Sequence, residues 1–134
     1  MANGLYRKAC EAYSFPNIIG NTIRVSLIRT AGGYTPNLQT DQFYSIIPAA
    51  AIIFEGPALT GKTFTGGVFK ADDVNFGIVP ASPAADGMAI WRDTGTPATS
   101  ELLVWYDTAS GLPVTPDGQN FIVVQWPPTF IFRL

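Results

Sequence analysis

The sequence contains no histidine and only one cysteine, Cys10. Without histidine the chain lacks the commonest general base and the commonest zinc ligand, and a Ser-His-Asp triad is impossible. A single cysteine closes no internal disulfide, so Cys10 reads as a small buried hydrophobe. Charge is scarce as well: 13% of the residues are charged, against about 25% in ordinary soluble proteins. Eight basic and ten acidic residues leave a net charge of −2, and no run of Lys or Arg supplies the footprint that nucleic acid or an anionic membrane needs. Neither partner is expected. No apolar run approaches the ~18 residues that span a bilayer, and the N-terminus has no signal-peptide pattern. The expectation is a soluble protein made in a cytoplasm, with no cofactor and no metal.

What remains is one domain's worth of chain, 134 residues of which 47% are hydrophobic, enough for a single core. So few charges on so apolar a chain predict a surface partly covered by other subunits, copies of itself included.

Residues 3–15 place Leu5, Tyr6, Ala9, Cys10, Ala12 and Tyr13 at helical spacing, with Arg7, Lys8 and Glu11 on the other face and Asn3 as N-cap. The spacing predicts a short amphipathic helix, packed on its own domain or laid as an arm on a neighbour. Ile23, Val25 and Leu27 then alternate with Arg24 and Ser26, as a half-buried strand requires. A brief helical turn is predicted around residues 40–47, with Thr40 or Asp41 as N-cap and Pro48 as its stop. From residue 49 onward short strands recur between Gly-, Pro- and Asp-rich turns: "AAIIFE", "KTFTGGVFKA", "NFGIV", "GMAIWRD", "ELLVWYD", "NFIVVQW" and "TFIFRL". "TPDG" suits a hairpin turn between "LPV" and "NFIVV". The fold class is therefore mainly β, a single antiparallel β-sandwich at residues 17–134 preceded by an N-terminal helix or arm at 1–16.

One stretch imitates an enzyme. "GPALTGKT", Gly56–Thr63, matches the phosphate-loop pattern G-x-x-x-x-G-K-[ST] at every defined position. That loop works only when its Lys-Thr pair opens a helix whose N-terminus faces the phosphates. Here "KTFTGG" follows, β-branched and glycine-rich, so the stretch reads as a turn between strands. Asp72 and Asp73 are adjacent on extended chain and point to opposite faces, which suits a solvated turn better than a calcium site. Trp91, Trp105 and Trp126 lie among apolar residues of predicted strands, where packing is the default over a platform for sugars or bases. No catalytic residue is assigned.

Several phrases together, "RVSLIRTAGGYTPNLQTDQFYSIIPA", "ALTGKTFTGGVFKADDVNF", "AIWRDTGTPATSELLVWYD", "GLPVTPDG" and "IFRL", make the chain resemble small virion-associated structural proteins of tailed bacteriophages. The likeness covers nearly the whole chain. It departs from the family pattern at Trp91 and Arg92, which replace an aromatic and a lysine, at Glu101 in place of proline, and at Pro127-Pro128 in the last hairpin. The resemblance implies a compact, jelly-roll-like β-sandwich without enzymatic activity. It further implies a capsid decoration or cement protein on the outer surface of the virion, bound to the major capsid protein. A collar, tail or baseplate subunit and a receptor- or carbohydrate-binding module are the alternatives. Under this reading the aromatic residues near the termini, Tyr6, Tyr13, Phe130 and Phe132, are the expected interface anchors.

Overall fold

In the computed structural model, which describes residues 4–12, 18–107, 112–124 and 131–133, the chain is mainly β. Its ten described strands are β1 (Gly4–Leu5), β2 (Ile23–Ile28), β3 (Ile52–Ala58), β4 (Thr63–Thr65), β5 (Val68–Lys70), β6 (Val74–Ile78), β7 (Gly87–Arg92), β8 (Leu102–Tyr106), β9 (Phe121–Val124) and β10 (Phe132–Arg133), with one short helix, α1 (Arg7–Ala12), after β1. Among the described residues, five strands form an antiparallel sheet in the order β1-β8-β7-β2-β3, three form β10-β5-β4, and β6 pairs with β9. β7 and β8 carry nearly unbroken apolar runs, and β2, which alternates apolar residues with Arg24 and Ser26, is like them buried along almost its whole length. Strands covered on both faces need no polar-out alternation, and burial on both faces places these three at the centre of the molecule, with the half-buried strand expected at Ile23–Ile28 covered on its Ser26 side as well.

A single core joins Tyr6 and Ala9 of the N-terminal segment to the central sheet and to Phe132 of β10. The rings of Phe64, Phe69 and Phe132 meet with centroids 5.2 to 6.5 Å apart and tie β4, β5 and β10 together. The Tyr106 hydroxyl donates to the Ile131 carbonyl and links the three-stranded sheet to β8.

Several local expectations change. The N-terminal helix is shorter than its apolar pattern, because Gly4 and Leu5 pair with Trp105 and Val104 before α1 begins. The Cys10 side chain lies outside the described residues. The turn predicted at 40–47 is a 3₁₀ turn, Tyr44–Ile46, whose N-cap position is Phe43 with no side-chain cap. Asp41 instead accepts from the Asn37 N–H at 2.9 Å and the Tyr34 hydroxyl at 2.8 Å. "KTFTGGVFKA" folds back on itself at Gly66-Gly67 as the β4–β5 hairpin. "LPV" does not pair with "NFIVV": Val114 bridges Ala85, while β9 pairs with β6. Sequence proximity favoured the hairpin, and tertiary pairing overrode it.

Two polar networks run through the core. Tyr6 and Tyr34 share a hydroxyl hydrogen bond of 2.8 Å, and Tyr34 continues to Asp41. Ser26 Oγ accepts from Trp91 Nε1 at 3.0 Å and meets the Tyr44 hydroxyl at 2.8 Å, beneath a Tyr44–Trp91 stack with centroids 3.9 Å apart. Buried polar groups are tolerable only when partnered in this way.

Burial pushes the phenols of Tyr6, Tyr34 and Tyr44 well above their ordinary value of 10.0, and that of Tyr106 up to about 12. A folded-state pKa raised above the unfolded one contributes stability that is present below pH 10 and lost as pH rises through the folded values. An alkaline absorbance titration should therefore find these four phenols neutral through pH 10 and ionising together as the chain unfolds. Independent titration centred on 10.0 would contradict their placement.

The departures at Arg92 and Glu101 from the family-like pattern prove to be one feature. Arg92 Nε and Nη2 donate to the two oxygens of Glu101 at 2.6 and 2.8 Å across the β7–β8 pair. Such a fork is geometrically specific, and Lys does not reproduce it.

Candidate functional site

The phosphate-loop imitation resolves into structural parts. Gly56–Ala58 end β3, and Lys62 leads directly into β4 where a helix would be required. Gly56 admits the Phe76 ring, since a Cβ there would lie 2.4 Å from Phe76 Cε1 and 2.5 Å from the Val25 carbonyl oxygen. The Lys62 ammonium donates to the carbonyls of Ile18, at 3.2 Å, and Asn21, and burial holds its pKa below the ordinary value. It pins the segment before β2 instead of facing a ligand. Asp72 accepts from the Thr60 hydroxyl at 3.1 Å and closes the same turn. Lys62→Met keeps the apolar stem but removes the donors. It should cost about 1 kcal/mol, read as a lowered Tm, while magnesium and ATP leave the Tm of the unmodified protein unchanged.

Of the four aromatic residues expected at an interface, Tyr13 and Phe130 lie outside the described residues. Tyr6 and Phe132 are corrected: they are 0% and 5% exposed and belong to the chain's own core, so neither presents a ring to a partner. Terminal position misled here, because both terminal segments pair into sheets, β1 with β8 and β10 with β5. Trp91 and Trp105 are also buried and offer no platform, and Trp126 falls outside the described residues.

Of the five large hydrophobics exposed among the described residues, Ile78, Phe121 and Val123 lie together on the β6–β9 ribbon, while Ile19 and Ile46 lie elsewhere. In β9, Ile122 and Val124 face the core while Phe121 and Val123 face outward. β6 begins in phase with this, Val74 and Phe76 inward and Asn75 outward. Its register then shifts between Asn75 and Gly77, so that Gly77 pairs with Ile122 and Ile78 with Phe121. Gly77 adopts a left-handed φ of 73°, and its N–H donates to Asn75 Oδ1 at 2.8 Å. A bulge of this kind re-aims the side chains beyond it, and here it turns Ile78 outward beside Phe121. Phe121 is 69% exposed, Ile78 51% and Val123 46%. Neither strand contains a charged residue.

Next to the ribbon, a cleft of about 530 Å³ separates β6 from β3, lined by Arg24, Phe54, Glu55, Asn75 and Phe76 among others. Its cation is already engaged: Arg24 Nε donates to Asp93 Oδ2 at 2.6 Å, and Nη1 to the Gly56 carbonyl at 3.4 Å. The Gly95 N–H, with Arg24 beside it, holds the Asp93 carboxyl below the usual carboxylate range. Among the described residues, no group of three or more His, Cys, Asp or Glu side chains converges as a metal site, and no helix is long and apolar enough to cross a membrane.

The ribbon signal is present in the sequence. "FIVV" has apolar residues at both alternating phases, so one face must be apolar and outward wherever only one face meets a core. The bulge that adds Ile78 depends on tertiary register and leaves only "NFG" as its trace. No protein-family model matches the chain, and no curated protein matches it.

Proposed function

We propose that this chain is a non-enzymatic structural subunit of a tailed-phage particle, a decoration or cement protein seated on the outer surface of the major capsid protein lattice. The observation that carries the reading is the uncharged Ile78, Phe121 and Val123 face of β6–β9, exposed on the single chain. Contiguous apolar surface of this kind marks association, and an exposed aromatic at its centre is the usual energetic anchor. Low overall charge and the resemblance of its strand and turn phrases to phage structural proteins support the same reading. The mechanism is additive burial: a subunit that covers parts of two capsomers opposes their separation, and many weakly held copies reinforce the shell together.

The copy number of this chain relative to the major capsid protein, measured by quantitative mass spectrometry of purified particles, tests the assignment. A cement role predicts copies in fixed proportion to the lattice. A handful of copies per particle would place the chain in a collar, tail or baseplate instead.

A further inference from the structure

At the opposite edge of the five-stranded sheet from β3, a groove of about 810 Å³ opens between β1 and segment 35–39. The backbone bordering it is incompletely paired. Tyr6 N–H donates to the Leu103 carbonyl at 2.9 Å, while Arg7 N–H turns the other way and donates to the Leu38 carbonyl at 2.7 Å. In an antiparallel ladder the N–H and C=O of successive residues alternate between the two edges. Leu5 therefore directs its N–H and C=O away from β8 and toward the groove. The Arg7 to Leu38 bond is the only backbone link between this strand and segment 35–39 among the described residues.

The groove's described lining mixes polar and apolar residues and carries charge of one sign. Among the described residues Arg7 is its single charged lining residue, exposed and absent from the ion pairs those residues make. Thr35, Asn37 and Gln39 add polar lining, and Leu5, Pro36 and Leu38 apolar lining. Asn37 Oδ1 already accepts from the N–H groups of Gln39 and Thr40, which leaves its Nδ2 to donate. Asp41, two residues beyond the groove, turns its carboxylate inward to Tyr34.

We propose that this groove binds an extended peptide segment carrying a carboxylate, added as a strand along β1 through the Leu5 N–H and C=O, with the carboxylate on Arg7. Main-chain pairing gives such a site its affinity and side-chain contacts its selectivity, and a guanidinium binds a carboxylate more strongly than it binds a neutral acceptor. The site lies away from the β6–β9 face, and its occupancy does not depend on whether that face meets a capsid.

The test is a titration of the isotope-labelled full chain with three capped pentapeptides: one alternating Val and Glu, one alternating Val and Lys, and the Val/Glu peptide N-methylated at alternate residues. The Val/Glu peptide should shift the amide resonances of Leu5, Arg7 and residues 35–39, and Arg7→Gln should weaken it about tenfold, as loss of one charge-assisted contact implies. Arg7 is exposed, so the variant should melt like the parent. The N-methylated peptide should lose binding, because it cannot pair with β1. Equal binding of the Lys peptide, undiminished binding to the Arg7→Gln variant, unimpaired binding of the N-methylated peptide, shifts confined to other surfaces, or no shifts at all would each overturn the proposal.

Discussion

Replacing Trp105 by alanine is expected to remove about 3–5 kcal/mol of folding stability, the range for truncating a large buried aromatic. Total stabilities run only about 5–15 kcal/mol, so this one change should bring the chain near the point of unfolding. Trp105 is fully buried, pairs through β8 with both β1 and β7, meets the Tyr34 ring edge-on at 6.0 Å, and donates through Nε1 to Asp107 at 3.2 Å. Gly87 shows how tightly the ring is held: a Cβ there would lie 2.3 Å from Trp105 Cη2 and Cζ2. Gly87→Ala alone should therefore destabilise by about 1–3 kcal/mol through overpacking. In the Trp105→Ala background the same methyl enters the space the indole vacated, and its penalty should largely disappear. Urea unfolding of the two single variants and the double variant measures this coupling. Strict additivity would show that the two positions do not share the packing described.

Phe121→Asp should have the opposite profile, with little effect on the fold and a large effect on assembly. Phe121 is 69% exposed, and its main intrachain partner across the ribbon is Ile78, a cross-strand pair worth at most about 1 kcal/mol. The Tm of the free chain should consequently move little. On a lattice-bound subunit the same ring would be buried, and the substitution would both remove an aromatic anchor and force a carboxylate to be desolvated. A loss of about 3 kcal/mol per subunit is expected, roughly 100-fold in affinity, read by co-sedimentation of the purified chain with capsids lacking it. Val123→Asp should act in the same direction. A control at Phe132 would be uninformative, because that ring belongs to the core and its loss would unfold the chain.

How much of this was legible in the sequence follows from where each signal resides. β7 and β8 announced themselves through apolar runs bounded by turn residues, and β2 through its alternation, which suggested one covered face where the structure covers both. The "GPALTGKT" stretch was correctly read as strand and turn, because β-branched residues after Lys62 leave no helix to form. Two of the four aromatic residues expected at an interface, Tyr6 and Phe132, are buried for a physical reason. Tyr6 and Phe132 looked available because termini are often loosely held, yet each lies in or beside a short strand that docks on a sheet edge. Phe121 and Val123 were read as ordinary strand residues, since periodicity shows that two phases are apolar without saying which one is covered. Ile78 joins them only through the bulge at Gly77, a matter of register between β6 and β9 that no local pattern encodes. The Arg92–Glu101 fork lay in view as two separate departures from a family-like pattern, nine residues apart, and only the β7–β8 pairing brings them together.

The most direct test is an electron cryomicroscopy map of the particle at a resolution that places this chain's strands. The account predicts density for the subunit across the outer lattice, with the β6–β9 face against the major capsid protein and Phe121 buried between them. Density confined to the collar or tail, or a lattice-bound subunit whose Phe121 faces solvent, would contradict it.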